Sequence, residues 1–309
     1  MVTLSDNSII NYLRSNILIR TSDSESYTSI HLTSTIKPDL TVQKNFNFNK
    51  TRDNNSLLTE HIIMYWGGSA WINNTRYSYS YDSQNNIIIS LQQVWDLVNS
   101  KWEHYYKDTF TFDVNNNITN QLTQNYTGTD WINVSNYIVT YDEHNLLDTL
   151  VMQSWNNTYW LNNKKSIYTY DASKNLIEQL DLGQNGYNEW ITSDKITYGY
   201  DANNNLISEI FQLWNDGESV WVNTAEYLFT FDSNNKIATF LYKYWNPQDS
   251  NWHDYELHSY TYDINGNKTI DLYQRWNGAN WTNYYKYLYT YNGTNKVSYY
   301  LSQYWDNPN

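Results

Sequence analysis

The chain has 309 residues, a net charge of -13 and no cysteine. Disulfide and thiolate chemistry are therefore excluded, and a nucleic-acid backbone or an anionic membrane is disfavoured as partner because both require clustered Lys and Arg. No stretch is long and apolar enough to span a bilayer as a helix, and the 32 Tyr and 15 Trp suit a pleated, half-buried surface.

Residues 1–52 read as a small N-terminal cap. Ser5 and Asp6 start a short helix through Ile9, Ile10, Leu13 and Ile17. Ser26 to Asn49 then alternates as a hairpin around Lys37-Pro38-Asp39. Such a segment would hide the first edge of a repeat array.

From residue 53 to 309 one signature keeps returning. Tyr/Phe-x-Tyr/Phe-Asp closes at Asp82, Asp113, Asp171, Asp201, Asp232 and Asp263, with variants at Asp142 and Asn292 and a weaker copy at Asp53. The steps are 29, 31, 29, 29, 30, 31, 31 and 29 residues, a period that means one supersecondary unit stacked many times. The segment is read as eight units plus a terminal half unit.

Counting from each signature Asp exposes the grammar of the unit. Aliphatic residues stand at +5 (Ile87, Leu147, Leu206) and +9 (Leu91, Val151, Ile210), Gln often at +11 (Gln93, Gln153, Gln212), and Trp mostly at +13 (Trp95, Trp155, Trp214). These offsets are odd and so share one face of a regular strand. A second Trp opens the other half, always ten residues before the aromatic that precedes the next signature residue. This even spacing places Trp221 on one face with Phe229 and Phe231.

Length changes fall only between the paired Trp residues, as insertions in hairpin loops do. The other end turns at sequences such as Asp201-Ala202-Asn203-Asn204-Asn205, where Asp accepts local backbone hydrogen bonds and Asn tolerates positive φ. Two turns per unit predict an all-β fold of about seventeen antiparallel strands in a meander, with the last aromatic opposite residue +5. The inward Gln is read either as part of an amide ladder or as a partly solvated rim position.

The turns resemble the YD repeat of the RHS family, as in Tyr198-Gly199-Tyr200-Asp201 through Leu206 and Tyr260-Thr261-Tyr262-Asp263 through Gly266. The Asn- and Trp-rich version is also similar to repeats in large surface proteins of gliding Bacteroidetes-type bacteria. The resemblance implies tandem hairpins wound into a curved or spiral sheet, with a structural or encapsulating role outside the cell or at its surface.

Catalytic signals are missing from the sequence. No nucleophile elbow, phosphate loop or dinucleotide fingerprint is present, no His recurs at a fixed offset, and no cofactor is implied. Asp113, Asn115 and Asn117, like Asp201, Asn203 and Asn205, have the spacing of a calcium-loop start. A calcium site needs more carboxylates than these turns supply, and only Glu209 follows in the second, so turn chemistry is assigned and metal ligands are not.

The candidate ligand-binding residues are the loop-flanking Trp95, Trp102, Trp155, Trp160, Trp214, Trp221, Trp245, Trp252, Trp276 and Trp281. Aromatic rings beside Asn and Asp offer a flat apolar face and polar groups to a neutral sugar or a protein subunit. The expectation is a non-enzymatic structural or adhesive segment of a secreted or cell-surface assembly. The alternatives are a glycan-binding module using the Trp rim and, third, part of an RHS-like toxin shell. The final half unit presents an edge expected to continue or to pair with another segment. Strands of about ten residues would also fit a membrane barrel, but neither face is consistently apolar enough to meet lipid, so no membrane insertion is expected.

Overall fold

The computed structural model describes residues 57–305; the expected cap at 1–52 lies outside them. The described chain is all β and falls into two compact units divided between Asn163 and Lys164. The first contains β1 (Glu60–Trp66), β2 (Trp71–Tyr81), β3 (Ile87–Asp96), β4 (Lys101–Phe112), β5 (Ile118–Tyr126), β6 (Trp131–Tyr141), β7 (Leu147–Trp155) and the opening of β8 (Trp160–Tyr170). The second holds the rest of β8 with β9 (Leu176–Gln184), β10 (Trp190–Tyr200), β11 (Leu206–Asn215), β12 (Val220–Phe231) and β13 (Ile237–Asn246). It continues through β14 (Asn251–Tyr262), β15 (Lys268–Trp276), β16 (Trp281–Tyr291) and β17 (Val297–Tyr304). Within each unit consecutive strands pair antiparallel, giving the expected meander of hairpins.

Local chemistry explains both kinds of turn. Asp201 Oδ1 accepts the backbone N–H of Asn203 at 2.8 Å and of Asn205 at 2.9 Å, while Oδ2 accepts Asn205 Nδ2 at 2.9 Å. Its carboxylate thus satisfies donors that the five-residue turn would otherwise leave open. Asn204 at the third position after Asp has φ of 62°, and the equivalent residue is left-handed in every signature turn among the described residues, including Lys174 at 68° and Gly266 at 79°. Asn dominates there because it tolerates that conformation better than other side chains. In the Trp-flanked loops the left-handed residue is Gly68, Gly128, Asn157 or Gly278 in the short forms and Ser100, Ser219 or Ser250 in the long ones.

The ends of each hairpin pair as expected. Tyr200 stands opposite Leu206, and Trp214 opposite Trp221. The ladder between them differs from the expected odd-with-odd pairing because each unit contains two bulges. One lies just after the signature turn: Phe231 pairs with Ile237 but Thr230 with Thr239, leaving Ala238 unopposed. The other follows the Trp-flanked loop: Gln212 pairs with Asn223 but Phe211 with Ala225, leaving Thr224 unopposed. The same two irregularities recur at equivalent positions along the array.

Each extra residue reverses the alternation of faces. Position +5 therefore shares its face with +8 and +10 rather than +9 and +11, and Trp221 lies on the face opposite Phe229 and Phe231. Burial follows the corrected assignment. Leu147, Leu176, Leu206 and Ile237 at +5, Phe240 at +8, and Val139 and Phe229 in the signature are all buried, on one face. Gln121, Thr123, Ser166, Asp181 and Glu209 join them there, and among the buried residues only Gln93 belongs to the other face.

Aromatic rings interlock on the buried face of the second unit. Phe240 packs at 5.4 Å from Phe229 and 5.5 Å from Tyr227, and Phe211 meets Tyr227 edge-on at 5.2 Å. Repeats are tied to one another by two further links. The last signature Tyr donates its hydroxyl to the +5 carbonyl of the preceding repeat, as Tyr262 does to Ile237 at 2.9 Å and Tyr141 to Ile118 at 3.1 Å. Side-chain amides also bridge successive turns: Asn205 Nδ2 donates to Asn235 Oδ1 at 2.6 Å, and Asn235 Nδ2 donates to Asn205 Oδ1 at 3.0 Å.

Candidate functional site

The ten candidate Trp residues form five cross-strand pairs, all packed edge to face. Ring centroids are 5.1 Å apart for Trp95–Trp102 and Trp155–Trp160, 5.2 Å for Trp214–Trp221 and Trp245–Trp252, and 5.3 Å for Trp276–Trp281. All ten are half-buried. Edge-to-face geometry aligns the positive rim of one ring with the negative face of the other, so each pair closes its hairpin. Cations occupy further ring faces: Arg76 Cζ lies 5.0 Å from the centre of Trp102, and Lys195 Nζ lies 4.6 Å from that of Trp221.

Beside three of these pairs, and beside Tyr126–Trp131, the recurrent Gln finds an Asn partner; Gln93 beside Trp95–Trp102 accepts from Arg76, and Lys243 takes the place of Gln beside Trp245–Trp252. Gln124, Gln153, Gln212 and Gln274 donate across the hairpin to Asn133, Asn162, Asn223 and Asn283, each at 2.9 Å. In the first unit the bonding extends into a ladder: Asn120 donates to Asn136 at 2.7 Å, and Asn136 donates to Gln153 at 3.1 Å. The amide ladder read from the recurrent Gln is thus present, on the Trp side of the sheet. These amides fix the register beside the Trp pairs and leave little of their polarity facing outward.

A different constellation lies on the opposite face of the second unit, near the same loops. The bulge after each Trp-flanked loop places the unopposed residue beside its successor, and at Tyr255 and Tyr284 this residue is aromatic. Tyr255 meets Tyr242 at 5.4 Å and Tyr244 at 6.1 Å, both edge-on. Glu256 lies directly opposite Arg275, whose Nη2 is 3.3 Å from Glu256 Oε1. Tyr273 donates its hydroxyl to Glu256 Oε1 and accepts from Arg275 Nε. The guanidinium then lies over Tyr284, 4.5 Å from the ring centre. Burial, reinforced by the Glu256 carboxylate, raises the Tyr273 pKa, and the hydrogen bond to Tyr273 raises that of Arg275. Tyr273 stays protonated and Arg275 charged at neutral pH.

Sequence reasoning missed this cluster because it placed the Trp residues and the signature aromatics on one face. Its signal is the aromatic eight residues before a signature Asp or Asn: Tyr105, Tyr255 and Tyr284.

Two titratable groups elsewhere in the second unit oppose each other. Asp194 stands across from Asp181, whose carboxylate is held by Lys164 Nζ at 2.7 Å and Ser166 Oγ at 2.5 Å. Burial first, and then its hydrogen bond to Asp181, raise the Asp194 pKa. Among the described residues no group of three or more His, Asp or Glu converges as a metal site, and no helix is long and apolar enough to cross a membrane.

No family model matches the chain, and no curated protein matches it. Similar solved structures include a protein of unknown function from Bacteroides fragilis, 17% identical, with 38% of this chain and 87% of that chain covered and a TM-score of 0.34. TcdB2-TccC3-TEV is 14% identical with a TM-score of 0.38; the match covers 77% of this chain but only 14% of that one. A porin-like protein from Bacteroides uniformis is 11% identical, with 74% and 92% of the two chains covered and a TM-score of 0.32.

Proposed function

We propose that this chain is a non-enzymatic structural repeat segment of a secreted or cell-surface assembly. The observation that carries the reading is where the recurring side chains are used. Signature Asp residues cap their own turns, Asn residues bridge one turn to the next, and Tyr hydroxyls reach the preceding repeat. Trp residues pair across hairpins, and Gln meets Asn beside them. Residues repeated for a ligand would keep their polar atoms open; these close on one another. In such an array stability is a sum of neighbour terms. Deleting one period, Asp201 through Phe231, should therefore leave a folded, shorter protein with a cooperative thermal melt, whereas deleting ten residues inside that period should not. A whole-period deletion that is unfolded by circular dichroism would reject the scaffold reading.

An adhesive role through the Trp-flanked loops is the second reading. It is favoured by the exposed apolar side chains those loops display, Val98 at 90% and Tyr159 at 54% exposure, which suit contact with a neighbouring subunit or a neutral glycan. A glycan array on the intact protein, read beside its oligomeric state at high concentration, tests it.

A further inference from the structure

We infer that the Tyr244–Tyr255–Arg275 surface of the second unit is a binding site for a neutral oligosaccharide. This goes beyond the scaffold role and uses the face opposite the Trp pairs. Tyr244 and Tyr255 are 39% and 41% exposed, large aromatics left open beside a fixed polar pair. His253 stacks on Tyr244 at 5.4 Å and is itself held by Asp249 Oδ2 at 2.6 Å. Tyr244 therefore stands in a set orientation while staying partly exposed.

Between these rings and Tyr284, the Glu256–Arg275 pair is anchored but unsaturated. Arg275 uses Nε on Tyr273 and Nη2 on Glu256, and no hydrogen bond occupies Nη1. Glu256 uses Oε1 for both Tyr273 and Arg275, and no hydrogen bond occupies Oε2. The side chains are 42% and 23% exposed, so both open atoms are within reach of solvent. A guanidinium N–H beside a carboxylate oxygen matches two neighbouring sugar hydroxyls, one accepting and one donating. The C–H face of a pyranose covers an aromatic ring. Tyr255, edge-on to both Tyr242 and Tyr244, has its orientation set before any ligand arrives, so little ordering entropy remains for binding.

Charge selects the class of sugar. Glu256 lies in the site, and the chain carries -13 overall. Both disfavour a sulfated or uronic polymer.

The test is calorimetric titration of the intact protein with cello-, malto-, laminari- and xylohexaose, and with a heparin hexasaccharide. At least one neutral hexasaccharide should bind with a millimolar or tighter Kd. Tyr255→Ala and Arg275→Ala should each weaken it by about tenfold or more, equivalent to about 1.4 kcal/mol, while Tyr255→Phe retains it. Trp214→Ala, on the other face, should leave affinity unchanged. Thermal melts of the Tyr255 variants should stay close to the parent, since that ring is exposed. No binding by any neutral probe overturns the proposal, and so does preference for the heparin fragment. Loss of affinity in Trp214→Ala but not in Tyr255→Ala also overturns it, and leaves the Trp-loop reading standing.

Discussion

Trp221 and Phe229 stand on opposite faces of β12 although they lie an even number of positions apart. Thr224, the residue with none opposite it on β11, turns the strand over between them. Deleting Thr224 should force Trp221 towards the buried face or shift the hairpin register, with a loss of several kcal/mol on the scale of core disruption. Phe229→Ala, at a position 6% exposed, should cost about 3–5 kcal/mol, and Thr230→Ser at its exposed neighbour should be nearly silent. Urea midpoints of the three variants check the face assignment, and equal losses for Phe229 and Thr230 would contradict it.

The Trp pairs should be energetically coupled. A double-mutant cycle on Trp214 and Trp221, whose rings lie 5.2 Å apart at 67°, should give about 0.5–1.5 kcal/mol beyond the two separate truncations. Coupling near zero would mean that the rings share a hairpin without stabilising it.

Lys174 holds a left-handed conformation at φ of 68°, where most signature turns place Asn. Lys174→Asn should therefore stabilise the protein by a few tenths to about 1 kcal/mol by relieving backbone strain. Asn235→Val, at φ of 65°, should cost about 1–2 kcal/mol or more, because it combines a β-branched left-handed residue with loss of the amide bridge to Asn205. Thermal melts of both variants decide the matter, and a destabilised Lys174→Asn would count against the turn assignment.

Stability should depend on pH in two separate windows. Asp194 has a raised pKa, so its contribution is fully present below the ordinary Asp value of 3.8 and is lost as pH rises through the folded value. Asp171, Asp201 and Asp263 are lowered by hydrogen bonds, chiefly from Asn175, Asn205 and Asn267. Their contribution is present above 3.8 and lost as pH falls through the folded values. Asp194→Asn should flatten the decline on the neutral side and leave the acid side unchanged. Denaturant midpoints across both ranges would show this, and an unchanged neutral-side slope would remove Asp194 as its source.

Much of the fold was legible in the sequence because turns and aromatic pairs are local and repeated. Among the described residues the period located the signature hairpins, Asp and Asn marked one end, and the Trp positions, most of them paired, marked the other. The faces were misread because Ala238 and Thr224 carry no mark of being unopposed. Two bulges per unit restore the phase at each hairpin end, so end registers came out right while the interior between them was reversed. For the same reason the Trp pairs were found and the Tyr255–Arg275 surface was not. Parity counting merged two faces whose chemistry differs, one closed by ring pairs and amides, the other with an open carboxylate and guanidinium.

The bulges also bear on strand stacking between copies of the chain. The β5 strand reads ITNQLTQNY, with no charge, no Pro and no Gly, and segments of that kind can stack into flat, dry cross-β zippers. Thr119 within β5 and Val134 in its neighbour lack opposing residues, and each bulge adds local twist to its strand. Identical twisted strands cannot lie flush along a fibril axis. The unopposed residues should therefore work against fibril growth, and a variant with Thr119 and Val134 removed should form thioflavin-positive aggregates more readily than the parent.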